Sequence, residues 1–260
     1  LHSTSRRQRQ MCIRDRNTPL GKYEENYLRK NNTLNVAVYD DYKPISYYDK
    51  KSHKYKGIAV DLMDKLGEKL GIKFRYFAIN TKDPYDMFNS TKTDIVLPVY
   101  VDDLMYYKTK SLFDSDINYI TKSSYGTLND NARIAVVKKY KYISDCLKNK
   151  TKYNIVEYDT IEDACNGVND GEVDAFATST YNAKFIIQNP RYRKLDIREF
   201  DNISLPFGLA INNNSILESA LNKGIQYITS EERKNIIDKD TAYKWSDLSW
   251  YDKLYSYIDI

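Results

Sequence analysis

Leu34-Asn-Val-Ala-Val-Tyr39 reads as a strand, and the elements after it decide the fold class. Asp40 to Lys56 is a polar, Pro-containing loop. Ile58, Leu62, Leu66 and Leu70 then recur every four residues, which marks one buried face of a helix, and Gly71 is placed to end it. Phe74 to Ile79 is a second strand and Tyr85 to Phe88 a short helix. Asp94-Ile-Val-Leu-Pro-Val99 is a third strand, whose continuous apolar run predicts burial on both faces.

A second set of the same kind begins at Arg133. Ile134 to Val137 is a strand and Ile143 to Leu147 a helix; Tyr153 to Tyr158 is a strand and Ile161 to Val168 a helix. Val173 to Ala177 is a strand, Tyr181 to Gln188 a helix, and Leu195 to Phe200 a strand. Leu205 to Ile211 is a further strand. The amphipathic helix of Leu217, Ala220, Leu221, Ile225 and Ile228 comes next, and Ser230 opens another with Glu231 and Glu232 in its first turn. Repeated strand–helix–strand units imply mainly parallel sheets flanked by helices. Two sets, joined around Tyr119 to Asn131 and again around Phe200 to Leu205, predict two α/β lobes with a double crossing. Lobe 1 is expected at 34–122 and 205–242 and lobe 2 at 123–204. A helical lead-in at 17–33 and a Trp- and Tyr-rich extension at 243–260 flank them.

Composition narrows the function. The chain has 260 residues, 42% of them apolar, which suffices for a sizeable core. Its longest uncharged apolar stretch, Ile95 to Val101, is far short of the roughly 20 residues a membrane helix needs. The formal charge of +4 has a specific source. Residues 1–16 resemble a translated sequencing-library adapter: Met11 to Arg16 back-translates to a transposase end, and Arg6 to Gln10 to the adapter arm before it. They are expected to be foreign to the native protein and are set aside from fold reasoning. Without their five Arg and one Asp the chain holds 35 residues of each sign. A basic surface for nucleic acid then loses its support. On this reading the native signal or anchor is missing from the fragment, so the absence of a leader says nothing about location.

Several chemistries also drop out. What remains is Cys146, Cys165 and His53, too few for a zinc site of recognisable spacing, and no metal or other cofactor is expected. His53 sits in the polar turn Lys51 to Lys54 and reads as exposed. The chain has neither a Gly-x-Gly-x-x-Gly nor a Gly-Lys-Ser loop. Cys146 and Cys165 read as buried small apolar residues, with a disulfide between them left open if the domain is secreted.

Three stretches together resemble the family 3 bacterial solute-binding proteins, the two-lobed Venus flytrap domains. The first is Leu34 to Phe77, with its aromatic-proline loop Asp41-Tyr-Lys-Pro-Ile-Ser-Tyr47, Gly57-Ile-Ala-Val-Asp-Leu62 and Leu70-Gly-Ile-Lys-Phe74. The second is Val156 to Ala177, a strand, a short amphipathic helix, an Asn-Asp-Gly turn, then Val-Asp-Ala. The third is Pro206-Phe-Gly-Leu-Ala-Ile211. The resemblance implies a periplasmic-binding-protein-like type II fold and an extracytoplasmic domain that captures a small polar solute in the cleft between its lobes. It further implies that no catalysis is performed. The partner would be an ABC permease or, alternatively, the chain's own membrane-bound signalling module, a histidine kinase or diguanylate cyclase. A dehydratase-like flytrap enzyme is the remaining alternative, but the cleft loops show no supported acid/base pair, since Asp102 and Asp103 are equally suited to open a helix.

Ligands of α/β sheets bind where loops converge at the carboxyl ends of strands. The loops so placed carry Tyr42, Tyr47, Tyr100, Lys139, Tyr140, Ser179 and Thr180, which are the expected ligand contacts. Tyrosine suits the task because it offers a flat apolar face and a hydroxyl. The pattern departs from the amino-acid binders of the family. No Arg follows the third strand in Val101 to Lys108 to clamp a carboxylate, and Ser179 stands where an Asp would hold an ammonium. Lys139-Tyr-Lys141 replaces the small turn that presents backbone amides. An ordinary free amino acid is therefore not the expected ligand. Asp61 matches an acidic position of the family's helix opening and reads as structural.

Overall fold

The computed structural model describes residues 20–81, 83–90, 92–100, 107–124, 126–242 and 248–257. Residues 1–16, Asp102 and Asp103 lie outside them. The described residues group into two compact units. The first holds 20–41, 46–113 and 207–237, and the second holds 42–45, 114–206 and 238–257.

The first unit is built on the sequence's opening pattern. β1 (Thr33–Val38) lies between β5 (Lys73–Ala78) and β6 (Ile95–Tyr100) and runs parallel to both, with Val36 opposite Tyr76 on one side and Ile95 on the other. β13 (Ser204–Ile211) pairs antiparallel with β6, and the two-residue β7 (Tyr107–Lys108) with β13. Val36, Val38, Ile95, Val96 and Leu97 are buried, as an apolar strand with both faces covered requires. The helix α2 (Ile58–Leu70) turns Leu62, Leu66 and Leu70 inward and ends at Gly71, whose φ of 67° is one that a Cβ would disfavour. The short helix expected from Tyr85 is a 3-10 turn, Pro84–Asp86, that runs into α3 (Met87–Ser90).

The lead-in is a true helix, α1 (Lys22–Lys30), and it is anchored to α7 (Ser215–Gln226). Glu24 is buried at this contact and accepts from Gly21 N, Ser219 Oγ and Lys223 Nζ at 2.5, 2.5 and 2.7 Å. Burial opposes its charge, but the hydrogen bonds from Lys223, Ser219 and Gly21 outweigh it and keep the carboxyl below its usual range.

Residues 40–56, expected to be loop, instead hold strands. β2 (Asp41–Tyr42), β3 (Ser46–Asp49) and β4 (Lys54–Lys56) form a small sheet. Cross-strand tyrosines account for it: Tyr48 faces Tyr55 with ring centroids 5.1 Å apart, edge to face. Asp49 closes the turn by accepting from Lys51 N, Ser52 Oγ and Lys56 Nζ, and His53 sits at φ 53°. The polar residues that made the stretch look irregular are the turn's own hydrogen-bonding groups.

The helix α8 (Ser230–Thr241) begins with a capping box. Glu232 N donates to Thr229 Oγ1 and Thr229 N to Glu232 Oε2. Lys69 Nζ at 2.8 Å, together with the Thr229 amide, pulls the Glu232 carboxyl down to about 2. A carboxylate depressed on folding stabilises the protein above its unfolded value and loses that contribution as pH falls through the folded one. The stability difference between wild type and Glu232→Gln is therefore expected to be about 1 kcal/mol at neutral pH. It should shrink below about pH 4.5 and vanish near pH 2, as read by urea titrations along the acid limb. A difference independent of pH would mean that the carboxylate charge plays no part.

The second unit has the order β10-β9-β11-β8-β12. β9 (Arg133–Val137) is parallel to β10 (Asn154–Tyr158) and β11 (Ala175–Ser179). β8 (Phe113–Lys122) runs antiparallel to β11 and to β12 (Leu195–Arg198). β8 corrects the sequence reading, which placed a joint from Tyr119 onward and left 113–122 without a strand. A period-two signal is there over the first half, in buried Phe113, Ser115 and Ile117 alternating with exposed Asp114 and Asp116, and burial is then continuous from Ile117 to Thr121. The helices α4 (Lys141–Lys150) and α5 (Ile161–Asp170) carry Cys146 and Cys165, both buried thiols, and burial pushes Cys165 up to about 12.

Candidate functional site

In the second unit, the carboxyl ends of β9 and β11 gather a buried polar cluster. β9 leads into a short 3-10 turn, Lys138–Tyr140, that buries Tyr140 and leaves Lys139 half-buried. β11 ends at Ser179, which caps the helix α6 (Thr180–Ile187) by accepting from Asn182 N. Thr178 donates to Asn182 Oδ1 at 2.7 Å. A strand that ends in a hydroxyl-capped helix places its side-chain oxygens where loops of an α/β sheet receive ligands.

Tyr42 completes the cluster. It belongs to this unit with the rest of 42–45 and is fully buried. Its ring stacks on Tyr140 with centroids 4.0 Å apart and planes 27° from parallel. Its hydroxyl donates to Ser179 Oγ at 3.1 Å. Burial raises its pKa, against the pull of the neighbouring hydroxyls of Ser179, Tyr142 and Thr178, so the phenol stays neutral. Asn182 Nδ2 donates to the Lys43 carbonyl at 2.5 Å, which fixes the backbone beyond Tyr42.

Of the residues expected at a site, the structure thus brings Tyr42, Tyr140 and Ser179 into contact. Thr180 lies next to them in the chain, but its hydroxyl pairs with the Asp116 backbone and its amide donates to Ser115 Oγ. Tyr47, on β3, and Tyr100, at the end of β6, are half-buried residues of the first unit. Asn182, Thr178 and Tyr142 were not singled out in the sequence. The unbroken polar run Thr178-Ser-Thr-Tyr-Asn182 after an apolar strand was the available signal.

The first unit has a shallow groove of about 420 Å³ lined by Asp61, Asp64, Lys65, Glu68, Glu232, Asn235 and Ile236. Its acids are engaged: Lys65 pairs with Glu68, Lys69 with Glu232, and Tyr76 donates to Asp64 at 2.7 Å. Among the described residues no group of His, Cys, Asp and Glu side chains could hold a metal ion. None of the described helices is long and apolar enough to cross a membrane.

Residues 34–104 match the bacterial extracellular solute-binding proteins, family 3. No curated protein matches the chain in sequence. In structure it is similar to the periplasmic VFT2 domain of Bordetella pertussis BvgS, at 16% identity and a TM-score of 0.71, over 85% of this chain and 99% of that one. It is also similar to the whole B. pertussis BvgS periplasmic domain, at 17% identity and a TM-score of 0.75. That match covers 92% of this chain and 48% of the other, so the chain spans about half that domain. The substrate binding protein of an amino acid ABC transporter matches at 16% identity and a TM-score of 0.65, over 80% of this chain and 98% of that one. At such identities the likeness speaks for the fold. Residues 34–104 therefore resemble the family 3 solute-binding proteins in sequence, and the chain is similar in fold to the Venus flytrap domains of solute-binding proteins.

Proposed function

We propose that this is an extracytoplasmic solute-binding domain, delivering its ligand to an ABC permease or reporting it to a membrane-bound signalling module. The observation that carries the reading is the cluster of Tyr42, Tyr140, Ser179 and Asn182 at the carboxyl ends of β9 and β11. It supplies flat apolar rings together with neutral hydrogen-bonding groups, the usual make-up of a small-molecule site. Both readings of the partner have support, one from the similarity to the BvgS periplasmic domains and one from the similarity to a transporter's substrate binding protein. Binding rather than catalysis is favoured by the chemistry present. Tyr42 is held neutral and Cys165 is held as a thiol, so neither group is poised as a base or nucleophile at neutral pH.

The ligand should not be a common free α-amino acid. Its carboxylate and ammonium would each need a charged partner, because an unpaired buried charge costs several kcal/mol. Tyr42, Tyr140, Ser179 and Asn182 are all neutral, and the cations beside them in the chain, Lys43, Lys139 and Lys141, offer nothing to an ammonium. Each missing charge-assisted hydrogen bond costs roughly 1.5–3 kcal/mol, about one to two powers of ten in affinity. Calorimetry with the twenty amino acids is expected to show no micromolar binding. A clear micromolar hit would overturn this reading of the ligand.

A further inference from the structure

The cluster is already occupied by the chain itself. Ser179 Oγ accepts from both Tyr42 Oη and Asn182 N, so its acceptor capacity is filled. One face of the Tyr140 ring is covered by the Tyr42 ring, and the side-chain amide of Asn182 donates to the Lys43 carbonyl. Residues 42–45 reach these partners as a compact turn in which Ile45 N donates to Tyr42 O at 2.8 Å. Tyr42, Pro44 and Ile45 are all buried, as is Ser46 after them, whereas Asp41 just before the turn is exposed. A phenol ring stacked on an aromatic, with its hydroxyl on a helix-capping serine, is the arrangement in which a protein would hold a bound phenolic solute.

We propose that the 42–45 turn is an internal ligand of the second unit, and that a solute binds there by displacing Tyr42 from Tyr140 and Ser179. The inference rests on the strand-end cluster being the solute site, and it deepens that reading by naming the ligand class. The competitor must replace what Tyr42 supplies: a flat ring to stack on Tyr140 and a neutral hydroxyl or amide to reach Ser179. A ligand that stacks without the polar group would leave Ser179 without its phenol donor, and a cationic one would find no carboxylate in Tyr140, Ser179 or Asn182. Because the turn must lift first, the apparent affinity is reduced by the fraction of molecules in which it is docked.

p-Cresol, the side chain of tyrosine as a free molecule, is the direct probe. In the Tyr42→Ala variant the vacated place should accept it, and about 10 mM p-cresol should raise the melting temperature by about 3–5 °C. Wild type and Tyr42→Phe, which keep a ring in place, should not respond. No response in Tyr42→Ala, or an equal response in all three, overturns the internal-ligand proposal. If Tyr42→Ala does not fold, hydrogen exchange on wild type and Tyr42→Phe decides. The 42–45 amides should exchange at least about tenfold more slowly than those of the exposed turn 50–53 in wild type, and lose part of that protection in Tyr42→Phe. Equal exchange of the two turns in wild type overturns the proposal. The solute-binding reading fails separately, if p-cresol rescues Tyr42→Ala while no solute in a broad metabolite screen binds wild type.

Discussion

Gly224→Val is expected to lower the melting temperature by about 6–12 °C. Gly224 lies on α7 where it crosses α2, and a Cβ there would stand 2.5 Å from Leu66 Cδ1 and 2.9 Å from Leu70 Cγ. Both leucines are fully buried, so neither can swing into solvent to make room. Two effects compete. A methyl group in a helix interior gains about 1 kcal/mol over glycine. Overpacking a filled core costs about 1–3 kcal/mol and sometimes more. For Gly224→Ala these nearly cancel or leave a loss of up to about 2 kcal/mol. Valine adds two further carbons to the same gap and forfeits part of the helix gain through its β-branch. The result is a net loss of about 3 kcal/mol, at roughly 2–4 °C per kcal/mol for a chain of this size. A Gly224→Val protein melting within about 2 °C of wild type would show that α2 and α7 can re-space freely.

That glycine shows where a sequence stops being legible. The helix from Ile58 to Leu70 and its stop at Gly71 follow from spacing alone, because burial repeats every turn and the end needs a left-handed residue. The close crossing at Gly224 depends on a contact with Leu66 and Leu70, far earlier in the chain, which no local window contains. The same reason hid β8. Its alternation lasts only from Phe113 to Ile117, two aspartates and a buried asparagine interrupt its apolar residues, and it pairs with β11 and β12 far downstream. At the candidate site the loops could be placed by the rule that sites gather at strand ends, and that rule singled out Tyr42, Tyr140 and Ser179. It could not tell that these residues would bond to one another, since their pairing spans 137 positions from Tyr42 to Ser179. Nor could it separate them from Tyr47 and Tyr100 in a chain with 25 tyrosines.

Tyr119→Ala should be the other large loss, and comparison with Tyr119→Phe tells which part of the side chain matters. Tyr119 is fully buried on β8, edge-on to Tyr153 at 6.1 Å and to Phe200 at 5.6 Å. Its hydroxyl donates to Asp201 Oδ2 at 2.7 Å, and the Tyr153 hydroxyl donates to the same oxygen at 3.0 Å. Burial first, then Asp201, drive the Tyr119 pKa well above the usual phenol range, so the group stays a donor throughout the accessible pH range. Removing the ring empties the centre of this aromatic cluster, at a cost of about 3–5 kcal/mol. Removing only the hydroxyl leaves Asp201 its bond from Tyr153 and some exposure to water, so Tyr119→Phe should cost about 1 kcal/mol. Asp201→Ala falls between them at about 1–3 kcal/mol, because it strands a buried phenol donor without an acceptor. The expected order in urea unfolding is therefore Tyr119→Ala, then Asp201→Ala, then Tyr119→Phe. Equal losses for Tyr119→Phe and Tyr119→Ala would mean that the shared carboxylate, rather than ring packing, holds β8 against the end of β12.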